Sequence, residues 1–329
     1  MSEKKIVVSF SGGRTSAYMC KILKELYGDN LIVIFFNTSA EHPKTYKFIR
    51  EVNEAFDLNL VCLEVDINYD GRNNYRIVDI NDMQCDLSAF GPVTQKYGRP
   101  SYQSALCTRE MKERLCKRYL KMVHGLSSSD VDEFDLWLGI RADEPKRVVG
   151  EALYRRLRKD EDMDDWDIIE AYRGATLPEY ADEYLDRRIA ERGPVKYLAE
   201  ISDFDKQDVL DFWKTMPFDL EIPEHLGNCV FCVKKSVNKV ALAMKDEPEL
   251  AAQWQLMMDC ANNREDLTNP KYRKYAGAGL IYREGNSVVS IRARADMYDR
   301  NELANRVRSM KQYDTGSCSE SCEAFGSDD

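Results

Sequence analysis

Three histidines in 329 residues leave little room for imidazole metal centres or histidine-driven acid–base catalysis. No apolar run approaches the roughly 20 residues a membrane helix needs; Leu31-Ile32-Val33-Ile34-Phe35-Phe36 is among the longest. The opening MSEKK lacks the apolar stretch of a secretory signal, so a cytoplasmic protein without membrane contact is expected. Excess basic charge is missing too. The formal net charge is -10, which excludes indiscriminate nucleic-acid binding by the surface as a whole. No G-x-x-x-x-G-K-[ST] loop, second C-x-x-C pair or internal repeat occurs.

What is present begins at Ser9-Phe10-Ser11-Gly12-Gly13-Arg14-Thr15-Ser16. An apolar run, Ile6-Val7-Val8, precedes it, and Met19, Ile22, Leu23 and Leu26 follow at helical spacing. Strand, glycine turn and helix in that order make an anion site. Paired glycines let backbone N–H groups converge, and the helix start supplies further donors and a favourable dipole. The hydroxyls of Ser9, Ser11, Thr15 and Ser16 add to them. A phosphate or pyrophosphate is the natural occupant.

The first third alternates strand and helix: Lys5–Phe10, Ser16–Tyr27, Leu31–Asn37, a helix opened by Pro43, and Leu60–Val65. This order predicts an α/β fold with a doubly wound parallel sheet and its ligand at the carboxyl ends of the strands. Residues 66–104 read as irregular, with Gly71, Gly91-Pro92 and Gly98-Arg99-Pro100 as breakers. A helix over Thr108–Val123 and a core strand over Phe134–Ile140 complete a nucleotide-binding core of residues 1–150. Residues 151–193 read as a charged helical insertion or lid. Residues 194–262 form a cysteine-bearing helical region that completes the core, with helices over Phe204–Lys214 and Glu249–Asn262. Residues 263–311 are a basic C-terminal region, and 312–329 a polar, acidic tail whose composition is that of a disordered segment.

Three more groups carry chemistry. Asn37, Thr38 and His42 lie at the end of the second strand, placed to meet a base or ribose or, alternatively, to cap the helix at Pro43. Gly139-Ile140-Arg141-Ala142-Asp143-Glu144-Pro145-Lys146-Arg147 follows a strand. There Gly139 allows close approach, Arg141 and Arg147 suit phosphate oxygens, and Asp143 and Glu144 suit Mg²⁺ or the arginines themselves. Cys107 opens a helix, and Cys229-x-x-Cys232 sits in a loop behind Gly227-Asn228. A helix start favours a thiolate, and the cysteine pair is open to dithiol, zinc or iron–sulfur chemistry. Cys260, Cys85 and Cys116 are further ligand candidates. Between Lys271 and Lys311 ten Lys/Arg face four Asp/Glu, read as a solvated face or as a tRNA or DNA contact.

Together these residues resemble the phosphoadenosine phosphosulfate (PAPS) reductase family of the PP-loop superfamily, over about residues 4–235. Ser9–Ser16 is similar to its PP-loop, and Gly139–Arg147 to its G-I-R-x-D-E-x-x-R element. Cys107-Thr108-Arg109 and Gly227–Cys232 match its cysteine positions. The resemblance implies an adenine nucleotide such as ATP, with Mg²⁺, on a Rossmann-like sheet. Gly12, Gly13, Ser11 and Ser16 would hold phosphates, and Arg14, Arg141 and Arg147 would stabilise developing charge. Cys107, Cys229 and Cys232 would hold an iron–sulfur cluster, with zinc as the alternative and Cys260 as a fourth candidate.

Two features depart from the family. ATP-cleaving members read S-G-G-x-D-S, whereas Thr15 replaces the aspartate here, leaving Asp143 or Glu144 to substitute for it. Sulfonucleotide reductases end in E-C-G-x-H, whereas this tail offers only Cys318 and Cys322. The expected activity is substrate adenylation with pyrophosphate release and cluster-aided sulfur transfer. Thiol-dependent PAPS or APS reduction and a non-catalytic nucleotide sensor or scavenger are the alternatives; a homodimer is left open.

Overall fold

A computed structural model describes residues 4–127, 129–260 and 280–310. Its centre is a six-stranded sheet in the order β4-β3-β2-β1-β5-β6. The strands are β1 (Lys5–Phe10), β2 (Leu31–Phe36), β3 (Val61–Asp66), β4 (Asn74–Val78), β5 (Phe134–Leu138) and β6 (Val195–Tyr197). All neighbours run parallel except β3 and β4, which are antiparallel. Val7, Val8, Ile34 and Leu63 are fully buried, as central parallel strands covered on both faces require. The expected α/β, Rossmann-like architecture is therefore present, with a helical C-terminal region.

Helices α1 (Arg14–Tyr27) and α2 (Pro43–Phe56) are the crossovers between β1, β2 and β3. Gly28, with φ 58°, ends α1 where a side chain would be strained. Helix α3 (Phe90–Tyr97) follows β4. Helix α4 (Leu106–Thr108), a π turn (Arg109–Glu113) and α5 (Arg114–His124) then form one continuous helical stretch. Helices α6 (Pro145–Val149), α7 (Glu151–Asp160), α8 (Asp165–Arg173) and α9 (Ala181–Arg192) lie between β5 and β6. The charged stretch 151–193 is thus helical, and Leu153, Leu157, Ile168 and Ile169 are fully buried in the common core. Helices α10 (Lys206–Lys214), α11 (Val237–Asp246), α12 (Pro248–Cys260), α13 (Val288–Met297) and α14 (Arg300–Met310) follow among the described residues.

The expectation of an irregular 66–104 is corrected by β4 and α3. Strand β4 is a half-exposed edge strand, so its side chains carry no strong apolar alternation. In α3, Gly91 and Pro92 fall in the first turn, where proline's missing N–H is harmless. Phe134–Ile140 shortens to Phe134–Leu138, because Gly139 leaves the ladder to meet α1. Residues 271–279 and 311 of the basic region and the whole tail with Cys318 and Cys322 lie outside the described residues. Within them, Arg300 pairs with Asp246 and Arg306 with Glu302. None of the described helices is long and apolar enough to cross a membrane.

Candidate functional site

The loop between β1 and α1 is drawn tight by its own hydroxyls. Ser16 Oγ donates to Gly13 O at 3.0 Å, lies 2.8 Å from Ser11 Oγ, and accepts from Ser11 N at 3.2 Å. No side chain caps α1, whose first residues follow Gly13 directly. Its first-turn N–H groups are the donors an anion would take. Gly12 holds φ +79°, and a Cβ there would lie 3.0 Å from both Ile49 Cδ1 and Thr45 Cγ2. Beside it the Thr45 hydroxyl is buried without a hydrogen-bond partner among the described residues. Ser9 is buried at the end of β1.

From β5 the chain crosses close to this loop. A Cβ on Gly139 would lie 3.0 Å from Ser16 Cα, so the close approach is backbone to backbone. Two residues on, Arg141 is 2% exposed and donates to Thr15 Oγ1 through Nη1 at 3.3 Å. Its Nε and Nη2 hold both oxygens of Asp143 at 2.7 and 3.1 Å. Glu144 accepts from Arg141 N at 3.2 Å and from Arg147 Nη1 at 2.7 Å. Burial acts to raise the Glu144 carboxyl, but the Arg147 and Arg141 guanidiniums outweigh it and hold the group below the usual glutamate range. The run is therefore a folded charge cluster joined to the PP-loop through Thr15. Asp143 and Glu144, each engaged by arginine, do not fit a resident Mg²⁺ as arranged. Arg14 is engaged elsewhere: Asp219 takes it in a two-pronged pair at 2.7 and 3.0 Å, and it also donates to Leu220 O.

The end of β2 turns toward the cysteines. Asn37 is buried, donating to Glu64 at 2.8 Å and accepting from Ser39 N and Tyr46 OH at 3.0 and 2.9 Å. His42 caps α2 by accepting from Lys44 N at 3.1 Å, and its Nε2 stands 3.1 Å from Glu247. Thr38 reaches furthest: its hydroxyl lies 2.7 Å from Glu41 and 3.3 Å from Cys229 Sγ. Glu41 and Cys229 also form an antiparallel bridge, and Val230 N donates to Ala40 O at 2.9 Å.

One small cleft is lined by Cys107, Cys229 and Cys232, with Thr38, Thr108 and Lys112 among its other walls. The Thr108 hydroxyl is buried there without a hydrogen-bond partner among the described residues, a donor that a ligand would satisfy. Cys260 is exposed at the end of α12 and is not part of this lining. Burial pushes the Cys85 and Cys116 thiols up to about 12, which keeps them protonated. Three thiols have the right donor chemistry for a cluster or zinc. Their grouping does not fit one, because no three Cys, His, Asp or Glu side chains form a metal site among the described residues.

Sequence reasoning passed over Glu41, Tyr46 and Lys235. Glu41 is 2% exposed, with Thr38 on one oxygen and Tyr46 OH at 3.0 Å from the other. Lys235 is buried and donates to the carbonyls of His225, Cys229 and Val230 at 2.9, 3.0 and 3.0 Å. An ammonium so held fixes the cysteine loop from within. Its only sequence signal was an ordinary Lys234-Lys235 pair beside the cysteines.

Compared with known proteins, the chain is similar over 97% of its length to the "Uncharacterized nin region protein ORF290" of Escherichia phage lambda, at 36% identity and covering 95% of that protein. No solved structure matches. The phosphoadenosine phosphosulfate reductase domain matches residues 5–216, a span that contains the PP-loop and Gly139–Arg147 but stops short of Cys229 and Cys232. With that match across most of its length and its sheet, this chain belongs to the phosphoadenosine phosphosulfate reductase family.

Proposed function

We propose that the protein is a PP-loop enzyme that binds ATP or a related adenine nucleotide and couples its cleavage to sulfur chemistry at Cys107, Cys229 and Cys232. The observation that carries this reading is the 3.3 Å contact between Thr38 Oγ1 and Cys229 Sγ. Strands β1 and β2 are parallel neighbours, with Phe10 opposite Phe35, so the PP-loop and Thr38 both follow the carboxyl ends of adjacent strands. A nucleotide on the loop and a reacting group in the cleft would then share one site.

Backbone N–H groups of Gly13, Arg14 and Thr15 bind phosphate oxygens, and Ser11 and Ser16 shape the turn. Arg141, steadied by Asp143 and Glu144, stands over Thr15 as the charge that receives developing negative charge. Mg²⁺ arrives on the nucleotide as part of the substrate. An acceptor oxygen attacks the α-phosphorus, the bond to the β-phosphate oxygen breaks, and pyrophosphate leaves. Hydrosulfide from an external donor, received in the cysteine cleft, then attacks the activated carbon, forms the C–S bond and displaces AMP.

Pyrophosphate release from ATP, measured with and without candidate acceptors, tests the reading. Pyrophosphate release that rises with acceptor and persists in Cys229→Ser, with release of AMP lost in that variant, is the expected result. Sulfite from PAPS with thioredoxin would assign the chain to thiol-dependent reduction instead. Tight nucleotide binding without either product would leave a sensor or scavenger.

A further inference from the structure

The helical stretch Leu106–His124 begins in the thiol cleft, where Cys107, Thr108 and Lys112 form part of the wall. From Arg109 to Lys121 its sequence holds six Lys/Arg and two Asp/Glu, in a chain whose net charge is -10. One of those acids, Glu110, is 1% exposed and sits beneath Arg109 and Arg114 at 2.9 and 2.8 Å, while both guanidiniums remain about half exposed at their outer side. Lys117 and Lys121 are exposed on the next turns. At 1.5 Å per residue, Arg109 to Lys121 spans about 18 Å, the reach of several consecutive phosphates.

An aromatic group joins this strip at the cleft end. Tyr102 is 42% exposed, and the Arg283 guanidinium lies 4.8 Å from its ring centre. Arg283 also donates to Lys234 O at 2.9 Å, in the loop that follows Cys232. Exposed Lys117, Arg109 and Arg114 and the buried Lys234 all act on the Glu113 carboxyl, and Lys234, whose carbonyl holds Arg283, ties the Tyr102–Arg283 pair to the strip. Cations spaced along a line, with an exposed ring backed by a guanidinium, are the footprint of a single nucleic-acid strand: phosphates on the charges, a base on the ring. An acidic peptide would use the charges and leave the ring without a role.

We propose that the basic strip Arg109–Lys121, with Tyr102 and Arg283, binds a single-stranded nucleic acid and leads it to the thiol cleft as the acceptor substrate. The acceptor half of this statement rests on the function proposed above; the binding half does not. Full-length protein is titrated into fluorescein-labelled 12-nucleotide oligo-dT and oligo-U across a salt series, read by anisotropy, with polyglutamate as competitor. Wild type is expected to bind, with affinity falling steeply as salt rises. Lys117→Glu/Lys121→Glu should weaken binding about 25-fold or more at 0.1 M salt and lower the salt slope by about 1.4, the share of two phosphate contacts on a single strand. Tyr102→Ala should weaken it at least about fivefold with the salt slope unchanged. The DNA and RNA arms identify which strand is preferred.

Absence of binding by wild type at low salt, undiminished binding by the double variant, or equal displacement by polyglutamate would overturn the proposal. Pyrophosphate release is followed in the same samples. Release that needs only small acceptors, with no oligonucleotide bound, removes the nucleic-acid surface and leaves the adenylation reading standing. Bound oligonucleotide with no release under any condition supports the surface and removes adenylation.

Discussion

Glu144→Ala is expected to lower the free energy of unfolding by about 3–5 kcal/mol, the usual result of stripping one partner from a buried ion pair. Glu144 is 5% exposed and Arg141 2% exposed, so neither charge has water to fall back on. Removing the carboxylate takes from Arg147 a 2.7 Å acceptor and from Arg141 a counter-charge 3.5 Å away. Because Arg141 also reaches Thr15, the PP-loop should lose its outer wall and nucleotide affinity should fall with stability. Glu144→Gln keeps the shape and an acceptor oxygen and should lose less. The two arginines depress the folded carboxyl below the usual glutamate value of 4.5 against the opposing effect of burial. In that acidic window the unfolded chain binds more protons than the folded one. The stabilisation is therefore complete above the unfolded value and drains away as pH falls through the folded one. Urea titrations from neutral to acid pH should show wild type losing this increment and Glu144→Gln with a flatter profile.

Gly12→Val should abolish nucleotide binding, with affinity reduced by at least about 100-fold in calorimetric titration with ATP. Two independent costs coincide there. The residue sits at φ +79°, a region in which L side chains lose roughly 1–2 kcal/mol and β-branched ones more. A Cβ would also meet Ile49 Cδ1 and Thr45 Cγ2 at 3.0 Å, and those atoms belong to α2, which is packed against the sheet. Overpacking of this kind adds about 1–3 kcal/mol, so the loop should rearrange rather than tolerate the side chain. Thermal unfolding should remain cooperative, separating a lost site from a lost fold.

The parts of this molecule legible in its sequence are those whose signals are local. Ile6-Val7-Val8, the glycine turn, Pro43 at the start of α2 and the Gly28 stop each announce themselves within a few residues. Strand β6 is three residues long and β4 half exposed, so neither has enough periodicity to stand out. Helix α11 was obscured by Lys239, which is 6% exposed and interrupts the apolar pattern while staying inside. The site divides the same way. The PP-loop and Gly139–Arg147 were visible as motifs, but their partners were not. Arg14 meets Asp219, 205 residues away, and Thr38 meets Cys229, 191 residues away. No spacing rule spans such gaps. Asn37 and His42, read as meeting a ligand or as capping the helix, accept from the backbone N–H groups of Ser39 and Lys44, as a polar strand end before a proline-opened helix must to satisfy its own backbone.

That the nucleotide loop and the thiol cleft are one site is tested most directly by alkylating the cysteines with a small maleimide, with and without saturating ATP, and reading each position by mass spectrometry. Cys260, exposed at the end of α12, serves as the internal control. ATP is expected to slow modification of Cys107, Cys229 and Cys232 by about tenfold or more while leaving Cys260 unchanged, and Gly12→Val should abolish the protection. Unaltered labelling of the three cleft cysteines by a protein that demonstrably binds ATP would contradict the shared site.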